Sequence, residues 1–284
     1  TLTGAIINTI LDPTLIFGFH MGIAGAAWAT VIGQVVSGIM VILYLRKFKT
    51  VKLTKEKLRP HPHYIGRIVS LGMAPFFNQV SMMVVQIVMN NVLIRYGAKS
   101  SYGSDIPLAC AGIITKINMI FFAINIGISQ GLQPIISYNY GARKKKRITG
   151  AIKYAMIYSV SIMIVGTIIM QIFPAQLLKL FDASDNMLSI GVTALRIIST
   201  HFFFAGFDII IISSLQALGR GLSSMLVSFT RQLVVLLPVA YLLSLTGKLD
   251  AIWWAFPIAE IFSIMASLFF LRRAYNAEIK PMAD

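Results

Sequence analysis

Apolar residues run along this chain in eight stretches, each near the roughly 20 residues that a helix needs to cross about 30 Å of hydrocarbon. The stretches fall at about 2–18, 22–45, 65–94, 107–138, 148–172, 187–218, 222–245 and 250–272. Polar positions gather in the short gaps between them, and their charge alternates. Arg46, Lys47, Lys49, Lys52, Lys55, Lys57, Arg59 and Arg67 follow the second stretch, and Arg143, Lys144, Lys145, Lys146 and Arg147 follow the fourth. Arg220 follows the sixth, and Arg272 and Arg273 follow the eighth. The odd-numbered gaps hold few cations: none at Gly18–Gly22, then Arg95 and Lys99, then Lys179, then Lys248. Short basic loops stay on the cytoplasmic side. The pattern therefore predicts an all-α, polytopic integral membrane protein with its C-terminus in the cytoplasm.

Composition agrees. Of the 284 residues 57% are hydrophobic and only 12% charged, too few charges to cover a soluble surface. The net charge of +15 would suggest a nucleic-acid partner if the cations lined one face, but their confinement to the gaps makes it a topology signal and excludes that partner. A lone Cys110 excludes a disulfide framework and a cysteine metal site. No G-x-x-x-x-G-K-[ST] string occurs, so uphill transport would have to run on an ion gradient, and no H-E-x-x-H or G-x-S-x-G string points to an enzyme. No organic cofactor is expected.

The first residue is Thr1, and T-L-T-G-A-I-I-N-T-I-L-D carries no basic flank, which reads neither as a native start nor as a signal peptide. An internal repeat accounts for it. Trp28, Ala29, Ile32, Ser37, Leu45 and Arg46 recur as Trp254, Ala255, Ile258, Ser263, Leu271 and Arg272, and Gln34 falls opposite Glu260. Parallel transporter repeats end on the same side of the membrane, as both copies do here. The second and eighth stretches then close two equivalent lobes of six helices.

Ionisable and amide groups inside apolar stretches are costly and are functional candidates by default. Asn8 and Asp12 stand four residues apart, on one helix face, and Pro13 loosens the carbonyl of Thr9. Asp12 and Thr30 lie 8 and 10 residues on either side of the turn centred near His20, roughly 12 and 15 Å deep at 1.5 Å per residue, so they can meet. The four oxygens would suit Na⁺, or the carboxylate would take H⁺. The alternative for Asp-Pro is a helix start, with Asp12 as a structural cap. Further on, Asp208 and Arg231 share a depth near 15 Å from one side, while Lys116, Arg196 and Glu260 share one from the other. These five form candidate buried ion pairs or a proton relay. Met82, Gln86, Met89, Asn90, Phe203 and Phe207 are candidates for a plastic substrate cavity, since Met and aromatic side chains adapt to varied ligands.

The string Q-P-I-I-S-Y-N-Y-G-A, from Gln133 to Ala142, resembles the motif that closes the second helix of the C-terminal lobe in the MATE (multidrug and toxic compound extrusion) family. The resemblance extends over essentially the whole chain and implies a 12-helix, two-lobe fold. Residues 1–46 would supply the last two helices of the N-terminal lobe, 47–63 a cytoplasmic linker, 64–274 the six-helix C-terminal lobe and 275–284 a cytoplasmic tail. Asn8, Asp12, Pro13 and Thr30 match the N-terminal-lobe cation site of the archaeal and DinF-like branch, whose remaining ligand is an aspartate on the first helix. Asp208 matches one acidic residue of the NorM-like cation site, but Phe76, Phe77, Asn78 and Gln79 offer no glutamate for the other. The family implies secondary active efflux of lipophilic organic cations by Na⁺ or H⁺ antiport, by a monomer in a bacterial cytoplasmic membrane surrounded by its lipid. A lipid-linked oligosaccharide or polysaccharide flippase of the same superfamily is the alternative.

Overall fold

The structure, a computed structural model, describes residues 2–47, 60–98 and 103–282. Lys49, Lys52, Lys55, Lys57, Arg59 and Lys99, and with them most of the expected linker, lie outside the described residues. The chain divides into two compact units, Thr1–Ile65 and Gly66–Asp284.

In the first unit α1 (Leu2–Pro13) runs on through one wide turn, Thr14–Gly18, to a bend before α2 (Gly22–Arg46). Gly22 opens α2 at φ +55°, a left-handed conformation that glycine adopts without a Cβ penalty. The two helices meet along small residues. Gly25, Ala29 and Gly33 recur every fourth position on α2 and are buried, as Gly4 is on α1. A Cβ on Gly4 would lie 2.6 Å from the Gly33 carbonyl oxygen, and one on Gly33 would lie 2.8 Å from that of Gly4. In lipid, where no hydrophobic force drives helices together, such close backbone approach supplies the packing.

The second unit holds α3 (Pro62–Gly97, entering from the first unit), α4 (Asp105–Gly141), α5 (Lys145–Ile172), the short α6 (Pro174–Lys179), α7 (Asp185–Ser199) and α8 (Phe202–Ala217). α9 (Gly221–Phe229) joins α10 (Leu237–Ser244) through a wide turn at Thr230–Leu236; α11 (Leu249–Trp253) leads into α12 (Ala255–Ala274), which a last wide turn extends over Tyr275–Ile279. Among the described residues, six helices are long and apolar enough to cross a membrane, and α7 with α8, bent by 50° at their junction, are long and apolar enough together. Leu2–Gly18 is a shorter apolar helix, so the eight predicted stretches each become helical. The break in the sixth, at Thr200–His201, has no proline or glycine to announce it.

α8 packs against α4, α5 and α12 and is mostly buried. Its hydroxyls and carbonyls are matched across helices, because an unpaired polar group in hydrocarbon is costly. Ser213 donates to the Ser129 carbonyl at 3.0 Å, and Ser159, which also donates to Asn125, reaches the Gly206 carbonyl at 2.8 Å. The Q-P-I-I-S-Y-N-Y-G-A string has the same role at the end of α4. Gln133 donates to Gln216 at 3.2 Å, Ser137 donates to the Ala217 carbonyl at 2.9 Å, and Ile136 is fully buried.

The stretch beyond 274, expected as a tail, is helical to Ile279 and packed. Ile279 is fully buried in a cluster with Ile148, Ile211 and Leu215, and Glu278 accepts from Arg220 Nε at 2.7 Å. Ile279 and the ion pair hold it down.

Replacing Gly4 by Ala should force α1 off α2 and lower the stability of the chain by about 1–3 kcal/mol, the usual cost of overpacking. Gly38→Ala, where a Cβ meets nothing within 4 Å, should leave the melting temperature in detergent unchanged or slightly raised.

Candidate functional site

Two places bring polar chemistry into apolar surroundings. The first lies between α1 and α2. Asn8 Nδ2 donates to Thr30 Oγ1 at 3.3 Å, and Thr30 in turn donates to the Ala26 carbonyl at 3.0 Å. Asp12 sits one turn beyond Asn8 on the same face, in the last turn of α1. Helical geometry continues past Pro13 into Thr14–Gly18, so Asp12 does not begin a helix and the capping alternative is overturned. Its Oδ1 is buried and has no hydrogen-bond partner among the described residues. Thr9 and Thr14 turn their hydroxyls back to the carbonyls of Ala5 and Ile10, at 2.9 and 2.7 Å. Around Asp12, then, stand an amide and a hydroxyl already joined to each other, with one carboxylate oxygen left over. Hard oxygen donors of this kind suit a small cation or a proton.

The second place is a cavity of about 280 Å³ inside the second unit. α3 presents Met82, Gln86, Met89 and Asn90 to it, at the i, i+4, i+7, i+8 spacing of one helix face. Phe203 and Phe207, predicted for the same wall, are not there. Phe203 is exposed, with its ring edge against Phe204 and Phe207, and Phe207 packs toward Leu132 and Ile136. The 50° break turns that face of α8 away and brings His201 to the cavity instead. His201 stacks on Phe256, ring centroids 6.3 Å apart.

An ion pair crosses the cavity wall: Arg231 Nη1 lies 3.2 Å from Glu260 Oε2. The expected Asp208–Arg231 pairing is therefore corrected. Asp208 is fully buried on α8 and accepts from two serines of α12, Ser263 at 2.7 Å and Ser267. Lys116 and Arg196, predicted to stand beside Glu260, are exposed. Counting residues from helix ends gives depth but not azimuth. The wide turn at Thr230–Leu236 inserts an extra residue and rotates Arg231 toward α12, and long basic side chains reach outward from any depth near an interface.

Five further atoms define the cavity. Asn118 Oδ1, His201 Nδ1, Gln232 Oε1, Trp253 Nε1 and Glu260 Oε1 are buried without a hydrogen-bond partner among the described residues, and all five residues line it. Gln232 spends its amide hydrogens on Asn78 Oδ1, at 3.0 Å, which leaves its oxygen turned inward. Asn118, Gln232 and Trp253 were missed by sequence reading. Gln232 adjoins Arg231, and a lone amide inside an apolar run was the available signal. Chemically the cavity combines acceptor oxygens, one indole N–H, and the rings of Phe122, Trp253 and Phe256, the kind of lining that holds a compact, flat molecule by a few polar points.

Comparison with known proteins is consistent with these helices and their order. The MatE family model matches residues 75–242. The multidrug export protein MepA of Staphylococcus haemolyticus is 27% identical over 271 residues, which is 95% of this chain and 58% of the relative. MepA of Staphylococcus saprophyticus is 28% identical over 268 residues, 94% of this chain and 57% of the relative. The chain thus spans a little under three fifths of the length of these curated relatives. Among solved structures, a MATE protein in complex with MaL6 superposes with a TM-score of 0.86 at 22% identity, covering 98% of this chain and 62% of that one. A MOP superfamily transporter from Pyrococcus furiosus, described by the reversed polarity of its binding pocket, gives 0.87 at 22% identity over the same shares.

Removing one member of the Arg231–Glu260 pair should strand the other. Glu260→Gln is expected to cost about 3 kcal/mol in thermal unfolding of the lipid-reconstituted chain. Adding Arg231→Met should recover most of that loss; strictly additive losses would mean the pair is not coupled.

Proposed function

Because this chain belongs to the MatE family, we propose that it works in a secondary active multidrug efflux transporter, exchanging small lipophilic organic cations for Na⁺ or H⁺ by alternating access. Asp12 is the coupling group. The observation that carries this is its position inside continuous helix, one turn from the Asn8–Thr30 bond, with a buried oxygen that no donor among the described residues satisfies. A carboxylate in that setting is stabilised by gaining a cation or a proton, and changes its preferred surroundings when it loses one. Ion binding there biases the helices toward one arrangement, and release permits the other.

The cavity of the second unit holds part of the exported molecule. Met82 and Met89 supply adaptable apolar contact, Gln86 and Asn90 are bonded to each other at 2.9 Å, and the unpaired oxygens of Asn118, Gln232 and Glu260 accept from a protonated or N–H-bearing centre. The flippase alternative needs several cations for a pyrophosphate. Arg231 is the one cation lining this cavity among the described residues, and Glu260 engages it. We assign the protein to a bacterial cytoplasmic membrane; the basic residues Arg46, Arg143, Lys144, Arg220, Arg272 and Arg273 that follow or close α2, α4, α8 and α12 support putting those helix ends on the cytoplasmic side.

Efflux of a fluorescent lipophilic cation from vesicles carrying the protein tests the reading, with Na⁺ and pH gradients imposed separately. Asp12→Asn should reduce gradient-driven efflux to the no-gradient level while the protein still folds and inserts. Full efflux in that variant would remove Asp12 from the coupling.

A further inference from the structure

We propose that the groove between α5 and the end of α12 is a binding site for an anionic phospholipid of the cytoplasmic leaflet. The groove has a volume of about 440 Å³ and lies on the outside of α8, against which both helices pack. Its walls carry Thr149, Ile152, Lys153 and Met156 from α5, and Arg272 and Asn276 from the other side. Apart from those polar groups it is apolar, down to the fully buried Ile279.

Position and charge identify the occupant. Lys153 is eight residues in from Lys145, where α5 begins, and Arg272 is seven residues back from Ile279, where the helical run of α12 closes. At 1.5 Å per residue both stand about 11 Å from the same end of the unit, so two exposed cations face one groove at one depth. Two like charges in apolar surroundings repel unless an anion lies between them. Among the described residues none is paired with them: the nearby acid Glu278 is bound to Arg220 at 2.7 Å, and no salt bridge joins Lys153 or Arg272 to a carboxylate. Arg147, Arg273 and Lys280, all exposed, add to the positive field around the groove.

A ligand that fits must carry a negative head at the depth of Lys153 and Arg272 and an apolar body that lies along Ile152, Met156 and Ile157. An anionic phospholipid has both parts in that order. A soluble phosphate has no apolar body, and a neutral phospholipid brings no net charge. Basic pockets between transmembrane helices on the cytoplasmic side recognise anionic head groups on this ground. The site uses neither Asp12 nor the internal cavity, so it stands or falls independently of ion coupling, and only the choice of leaflet rests on the orientation proposed above.

The test titrates phosphatidylglycerol into the detergent-solubilised chain and counts retained lipid by native mass spectrometry. Phosphatidylcholine and inorganic phosphate serve as parallel probes. At roughly 1 kcal/mol per basic residue, Lys153→Gln and Arg272→Gln should each weaken retention about five-fold, and together about thirty-fold. Lys153→Arg should retain the lipid, and Arg147→Gln with Arg273→Gln, which removes two cations beside the groove, should cost far less than the groove pair. Ile152→Trp should block retention with both cations intact. Equal losses from the two double variants, equal retention of phosphatidylcholine, or displacement by inorganic phosphate would each overturn the proposal.

Discussion

Every polar group in the interior of this protein answers to one constraint: lipid offers no hydrogen bonds, so a buried donor or acceptor must find a partner in the protein or a ligand. Most find one in the protein. Asp208 takes two serine hydroxyls, Arg231 takes Glu260, Ser213 and Ser159 take backbone carbonyls on neighbouring helices, and Gln133 takes Gln216. All of these but the Arg231–Glu260 pair converge on α8 and set which helices lie beside it. Among the described residues eight buried side-chain atoms are left over. Six are found in the two places already described, Asp12 Oδ1 in one and five atoms around the cavity in the other. The other two, Asn139 Oδ1 and Glu278 Oε2, lie elsewhere. Satisfied groups build the scaffold, and most of the unsatisfied ones gather at these two places.

The two units use this constraint differently. Between α1 and α2 the backbones approach through Gly4, Gly25, Ala29 and Gly33, so there is little side-chain volume to move and a carboxylate stands beside an amide and a hydroxyl. Such a joint favours an ion over an organic molecule. In the second unit a bent span, two wide turns and a row of methionines leave room instead. Wide turns and mid-helix breaks are frequent at functional sites because they free or re-aim single groups without ending the helix.

The fold was legible in the sequence because twenty-residue apolar runs and alternating basic gaps are dominated by the solvent, not by packing detail. The QPIISYNYGA string was legible as a family mark, and its physical work, tying α4 to the end of α8, became visible only with Gln216 and Ala217 in place. Counting residues from one turn put Asp12 and Thr30 at a similar depth, and the hydroxyl of Thr30 is instead bonded by Asn8, one turn before Asp12 on the same face. Counting failed for Arg231, Lys116 and Arg196, where partners depend on azimuth and on an inserted residue in Thr230–Leu236. The α3 wall of the cavity was readable, from Met82 to Asn90, because helical spacing places those four on one face. Phe203 and Phe207 were misplaced because nothing in Ile197–Phe207 announces the 50° bend that faces them elsewhere.

The central claim is that Asp12 exchanges a cation, and carboxyl infrared spectroscopy observes that group directly. When Na⁺ is added to the lipid-reconstituted protein, or its pH is changed, the infrared difference spectrum should show a change in the carboxyl and carboxylate region, and Asp12→Asn should lack that change. A carboxyl spectrum that is indifferent to both ions, or one whose responsive band survives in Asp12→Asn, would contradict the account.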